Sequence, residues 1–143
     1  MGAVISGRPL RWAVLIMDLD PIMGHEQGGR RRVLVVSYEP FHFSSAMTVC
    51  PITAARAGVR YPNEVAIPLG EAGQSKPGVI LCHQVRTISM LRGATNETGT
   101  PSPVGYLTDP LLREHVRLAL ARHLGLHMPS ALDGAAGTLA FKS

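Results

Sequence analysis

Trp12-Ala13-Val14-Leu15-Ile16-Met17-Asp18, then a polar loop, then Arg32-Val33-Leu34-Val35-Val36-Ser37: this stretch decides the fold. The first run is apolar at both odd and even positions, so it reads as a strand buried on both faces. The second is strongly β-branched, which favours a pleated surface. Between them, Leu19-Asp20-Pro21 ends the first strand, and residues 22–30 carry Met-Gly-His-Glu-Gln-Gly-Gly-Arg. Arg31 to Arg32 reads as the loop-to-strand junction, with Arg30 still on the mobile side. Strands that hold a glycine-flanked polar loop between them are scaffolds on which binding groups concentrate.

Working outward, further strands are expected at Met47 to Ile52, delivering Thr53 at its end, and at Glu64 to Leu69, Val79 to Cys82 and Val85 to Met90. Pro40 to Ser45 reads as a short helical turn. Residues 93–103 read as a turn-forming loop. Asp109 followed by Pro110 predicts a helix start, and the helix runs to about His123. Leu112, Val116, Leu120 and Leu124, with Ala119, form its apolar stripe. The expected fold is mainly β (α+β), a small antiparallel barrel or rolled sheet closed by the C-terminal helix. Residues 1–10 are expected to be a flexible arm, 11–126 one domain and 127–143 a disordered tail.

A chain of 143 residues suits one domain. Fifteen glycines and eleven prolines favour short strands and turns over a helix bundle. The longest uncharged apolar run near the N-terminus, Ala13 to Met17, is too short for a transmembrane helix or a secretory segment. Two cysteines make no disulfide scaffold, so a cytoplasmic location is expected. Twelve of the fourteen cations are arginine and the formal net charge is +4, a balance that permits nucleic-acid binding without proving it.

Three segments could carry chemistry. The loop through His25, Glu26, Gln27, Arg30 and Arg31 gathers an imidazole, a carboxylate, an amide and guanidinium groups. Taken by itself it also reads as an ordinary solvated hairpin. Cys50-Pro51-Ile52-Thr53 presents a hydroxyl at a strand end, with Arg56 three residues on. Thr53 could equally bond its own turn. In Cys82-His83-Gln84-Val85-Arg86-Thr87, read as strand, Gln84 and Arg86 share one face and could line a groove with base-edge and phosphate donors. No His or Cys pair has the short spacing of a zinc site, so no metal and no cofactor is expected. There is no Gly-x-Ser-x-Gly, P-loop or dinucleotide fingerprint.

In order and spacing the three segments resemble the MazF/PemK family of toxin–antitoxin endoribonucleases. The matching residues are Asp18-Leu19-Asp20-Pro21, Gly24 to Arg31, Val33 to Ser37, Pro51-Ile52-Thr53, Tyr61-Pro62 with Glu64-Val65, and Lys76-Pro77-Gly78-Val79 through Gln84 to Ile88. The resemblance implies a dimeric barrel of the CcdB/PemK plasmid-maintenance type that cleaves single-stranded RNA without a metal and is neutralised by a cognate antitoxin. It places the catalytic roles on Arg31 and Thr53. It places RNA contacts on Glu26, Gln27 and Gln84, and His25, Arg30, Ser37, Arg56 and Arg86 are expected to bind RNA beside them. Where the family has Gly-Asp before the first strand, this chain has Trp12-Ala13. Arg32 replaces a proline, and His83 an acidic residue. Arg32 is expected to face away from the scissile phosphate, toward flanking RNA, a second subunit or the antitoxin. Two other readings remain: a same-fold poison of DNA gyrase, and a non-catalytic RNA-binding barrel.

Overall fold

The computed structural model describes residues 4–5, 8–21, 23–24, 26, 28–38, 45–54, 59–93 and 102–126. Val4–Ile5 (β1) pairs antiparallel with Arg8–Pro9 (β2) inside the segment read as an arm. The main sheet contains Ala13–Asp18 (β3), Arg30–Val35 (β4), Ala46–Ala54 (β5), Glu64–Ile67 (β6), Gly78–Leu81 (β7), Arg86–Ser89 (β8) and Gly105–Tyr106 (β9). Its order is β6-β7-β5-β4-β3-β9, every pairing is antiparallel, and β8 also joins β5. One helix, Pro110–Leu124 (α1), follows.

Strand alternation builds two cores. Ala13, Leu15, Met17, Val33, Val35, Met47 and Val49 gather with Leu10, Leu19, Ile88 and Met90 on one face. Val14, Leu34, Val36, Cys50 and Ile52 gather with Ile80, Cys82 and the helix residues Val116 and Ala119 on the other. This is why β3 and β4 are apolar at both parities: the curled sheet excludes water from both sides. The long β5 makes the curl possible. Its Ala46–Val49 half pairs with β8 and its Ile52–Ala54 half with β7, so one strand serves two directions of the sheet.

The helix begins as expected. Leu111 donates its N–H to Asp109 Oδ1 at 2.9 Å, Pro110 occupies the first position, and Gly125 ends the helix at φ 69°. Arginines flank its attachment: the Arg113, Arg117 and Arg11 guanidinium carbons lie 5.4, 5.2 and 5.1 Å from the Trp12 ring. Burial first, then Arg117, holds the Arg11 guanidinium below its ordinary pKa.

Several boundaries differ from expectation. β4 starts at Arg30, so all three consecutive arginines are strand residues, because Asp18, Met17 and Ile16 of β3 pair with them in turn. Leu124 is exposed although it continues the helical stripe; steps of four drift by about 40° each around a 3.6-residue turn. Residues 82–87 are not one strand: Cys82–Gln84 form a 3₁₀ turn before β8. That turn is where the chain passes from pairing with one half of β5 to pairing with the other. β9 was not anticipated. Gly105 is required there, since a Cβ would stand 2.6 Å from the Ala72 carbonyl carbon and the Gly73 nitrogen. The expected turn at Pro40 to Ser45 and the tail at 127–143 fall mostly or wholly outside the described residues, as does most of the 93–103 loop.

Candidate active-site groove

The polar loop is folded onto its own backbone. Leu19 donates its N–H to Gly29 O at 3.0 Å, and Gly29 donates its N–H to Asp20 Oδ1 at 2.9 Å. Gly29 sits at φ 74°, a conformation that costs other residues. Asp20 donates its N–H to Asp18 Oδ1 at 3.0 Å, and Arg92 Nη1 donates to Asp20 O at 2.6 Å. The two aspartates therefore build the loop and are occupied in doing so. Glu26 closes a tighter turn: Met23 donates its N–H to Glu26 Oε1 at 2.7 Å, while the carboxylate stays exposed.

The rigid loop base aims Arg31. The side chain is half-buried, and Nε donates to Gly28 O at 3.3 Å, which leaves the outer guanidinium N–H groups free to face a ligand. Arg31 follows the alternation of Val33 and Val35, whereas Arg32 follows that of Leu34. Val33 pairs with Pro51 across β4 and β5, and the same register carried two residues further sets Arg31 across from Thr53. The pairing of β4 with β5 ends at Val33 and Pro51, and Thr53 pairs with Val79 on the other edge of β5. The opening there is a groove of about 380 Å³ lined by Arg30, Arg31, Arg32, Thr53, Gln74 and Lys76, among others. Among the described residues it holds four cations and no lining carboxylate. Such a surface suits a polyanion.

Arg32 does something other than reach outward. Nη1 donates to Gly73 O at 3.3 Å and to Gln74 Oε1 at 3.2 Å, and Gln74 Nε2 donates to Lys76 O at 3.2 Å. Gln74 is buried. Arg32 thus ties β4 to the segment that forms the far wall of the groove. No sequence signal marked Gln74, which lies 42 residues away.

A smaller recess of about 210 Å³ brings together Glu26, His83, Gln84, Val85 and Arg86. Arg86 Nη1 donates to Leu19 O at 3.2 Å, and Glu26 of the recess precedes Arg30 of the groove by four residues along the chain. Ser37 joins neither. It lies six residues, roughly 20 Å of strand, from Arg31, and its Oγ accepts the Thr48 N–H at 3.1 Å. His25, Gln27 and Arg56 lie outside the described residues. Among the described residues no three His, Cys, Asp or Glu side chains gather to hold a metal ion, and no helix is long and apolar enough to cross a membrane.

Comparison with known proteins bears on the fold and the family. The family model described as "PemK-like, MazF-like toxin of type II toxin-antitoxin system" matches residues 10–114. Over 118 residues the chain is 32% identical to an endoribonuclease MazF of Staphylococcus saprophyticus, covering 82% of this chain and 92% of that one. The crystal structure of MazF from Deinococcus radiodurans superposes with a TM-score of 0.64 at 27% identity, over 80% of this chain and 94% of that one. A MazE–MazF structure from the same organism (Form-II) gives 0.59 at 28% identity over the same shares.

Proposed function

This chain belongs to the PemK-like, MazF-like toxins of type II toxin–antitoxin systems, and from that premise we propose that it is an endoribonuclease that cuts single-stranded RNA without a metal. The observation that carries the reading is the groove that, among the described residues, has four cations and no lining carboxylate, with Arg31 and Thr53 on neighbouring strands. RNA contains its own nucleophile. The 2′-oxygen attacks the adjacent phosphorus, a new 2′-O–P bond forms, and the P–O5′ bond breaks. The products are a 2′,3′-cyclic phosphate and a 5′-hydroxyl. The protein must align the attack and stabilise charge growing on the non-bridging oxygens. The Arg31 guanidinium offers planar paired donors to those oxygens, and the Thr53 hydroxyl adds one oriented donor. The 2′-hydroxyl proton needs an acceptor; Glu26 and His25 are the candidates on the loop.

In this reading residues 11–126 are the toxin domain. Arg30, Arg86, Gln84 and the 25–27 loop position the RNA strand, together with Arg56 and Ser37 where the bound strand reaches them. The chain acts in the cytoplasm as a homodimer and is silenced by a cognate antitoxin, as the MazE–MazF structures suggest by their composition. A gyrase poison would have no use for an arginine–threonine pair in a cation-lined groove. The test is to incubate the purified protein with a long synthetic RNA in excess chelator and map the ends. New 5′-hydroxyl ends that vanish in Arg31→Ala are expected. Intact RNA, or cleavage unchanged in Arg31→Ala, would overturn the proposal.

A further inference from the structure

The recess beside the groove contains a residue that the mechanism does not use. His83 sits in the Cys82–Gln84 turn, and its imidazole meets the exposed Tyr61 ring edge-on, with centroids 5.9 Å apart and planes at 68°. Its Nδ1 is shut off from solvent with no hydrogen-bond partner among the described residues. With Nδ1 enclosed, Nε2 is the polar edge that the ring can offer. Tyr61 braces the ring in that orientation.

The other walls complete a pattern. Arg86 supplies guanidinium donors beyond the N–H given to Leu19 O, and Gln84 supplies an amide. Glu26 keeps Oε2 as an acceptor while Oε1 takes the Met23 N–H. Val85 provides an apolar edge. Several donors beside one carboxylate match a flat ring that presents carbonyl oxygens next to an imino N–H. Among nucleobases, uracil and guanine have that edge. Adenine and cytosine place a bare ring nitrogen where the imino N–H would be, and a carboxylate repels it.

We propose that this recess holds one unpaired keto base, uracil or guanine, next to the cleaved phosphate, and that His83 is a specificity-determining residue. The inference rests on the endoribonuclease reading for its substrate. Glu26 in the recess and Arg30 in the groove are four residues, at most about 14 Å of chain, apart, a separation that neighbouring nucleotides of one strand can bridge.

The test reads base preference within each protein, so overall activity cancels. Wild type, His83→Ala and His83→Gln, each checked for native circular dichroism, cleave a single-stranded RNA pool with randomised positions, and the new ends are sequenced. Uracil or guanine should exceed adenine and cytosine by roughly tenfold or more at one position beside the cut. That ratio should fall toward one in His83→Ala, recover in part in His83→Gln, and leave other positions unchanged. The same subsite is measured without cleavage by calorimetric binding of oligonucleotides carrying a 2′-deoxyribose at the cut. There, N3-methyluracil or N1-methylguanine at the selected position should bind as weakly as adenine. Adenine or cytosine preferred in the binding series, or an unchanged ratio in His83→Ala, would overturn the subsite. An enzyme that cuts no RNA yet shows the binding preference would instead sink the endoribonuclease reading alone.

Discussion

Arg31 and Arg32 are chemically identical neighbours that the strand turns to opposite faces, and replacing each with methionine should separate two effects. Methionine keeps most of the apolar stem and removes the guanidinium. For Arg32 the loss is two hydrogen bonds, to Gly73 O and Gln74 Oε1. Each such bond is worth about 0.5–1.5 kcal/mol net, and stranding the buried Gln74 oxygen adds to the cost. Their lengths, 3.3 and 3.2 Å, and the exposure of the Gly73 bond keep the total near 2 kcal/mol. At about 4 °C per kcal/mol for a domain of this size, Tm should fall by about 8 °C. Arg31→Met gives up one 3.3 Å bond to Gly28 O, so its stability should change by less than about 1 kcal/mol. Its turnover should disappear. Urea unfolding and kcat on a short, saturating RNA measure both quantities on both variants. A stability loss below about 0.5 kcal/mol in Arg32→Met would refute the anchoring argument. A turnover loss as deep as that of Arg31→Met would put Arg32 in the catalytic centre.

Thr53→Ala removes one neutral donor and should lower kcat by no more than about 2–4 kcal/mol, less than Arg31→Ala; an equal loss would reverse the ranking. Cleavage should survive excess chelator and weaken with added salt, with a log–log slope of about −0.7 for each phosphate neutralised on single-stranded RNA. Activity restored only by a divalent ion would contradict the arginine mechanism. Gly105→Ala should destabilise the fold by about 1–3 kcal/mol, because the new methyl meets backbone of Ala72 and Gly73 that cannot rotate away; a neutral result in urea would show that β9 yields freely. Cys50 and Cys82 are buried, and hydrogen bonding to Cys82 first, then burial, raises the Cys50 thiol well above 9.0. The unfolded thiol releases its proton at the ordinary value while the folded one holds it. This contribution to stability is therefore complete below pH 9.0 and is lost as pH rises above it, a slope that Cys50→Ala should reduce. Alkylation of native protein near pH 7 at the same rate as unfolded protein would count against that burial.

Much of the fold was legible because its strands are short and apolar at both parities, and the helix carries its own start signal in Asp109 and Pro110. What escaped was non-local. Nothing within β4 says that it begins at Arg30; three successive partners on β3 decide that, against the pull of three adjacent charges. Residues 79–90 read as two strands meeting at an uninterrupted β-compatible run, and only the division of β5 between two partners requires the turn at Cys82–Gln84. Gly105–Tyr106 is too short to carry a period, and its reason for existing is the close approach to Ala72.

The site divides along the same line. Glu26, Arg30, Arg31 and Thr53 stood out through the ordered motifs that resemble the family; segment by segment, the loop also read as a solvated hairpin and Thr53 as a strand-end hydroxyl bonding its own turn. The role of Arg32 did not stand out, because its partners are a carbonyl and a buried amide 41 and 42 residues away. That partnership also bears on how the groove works. One wall is a strand carrying Arg31; the other is the 74–77 segment carrying Lys76, held to the strand by the Arg32–Gln74 contact. Gly78 leaves the space that Gln74 needs, since a Cβ there would come within 2.6 Å of Gln74 Nε2. Four like charges around one opening repel one another, and the Arg32 contact opposes that repulsion. By directing one of those cations into a carbonyl and an amide oxygen, the fold ties the two walls of the groove together while Arg31 gives only its Nε to Gly28 O.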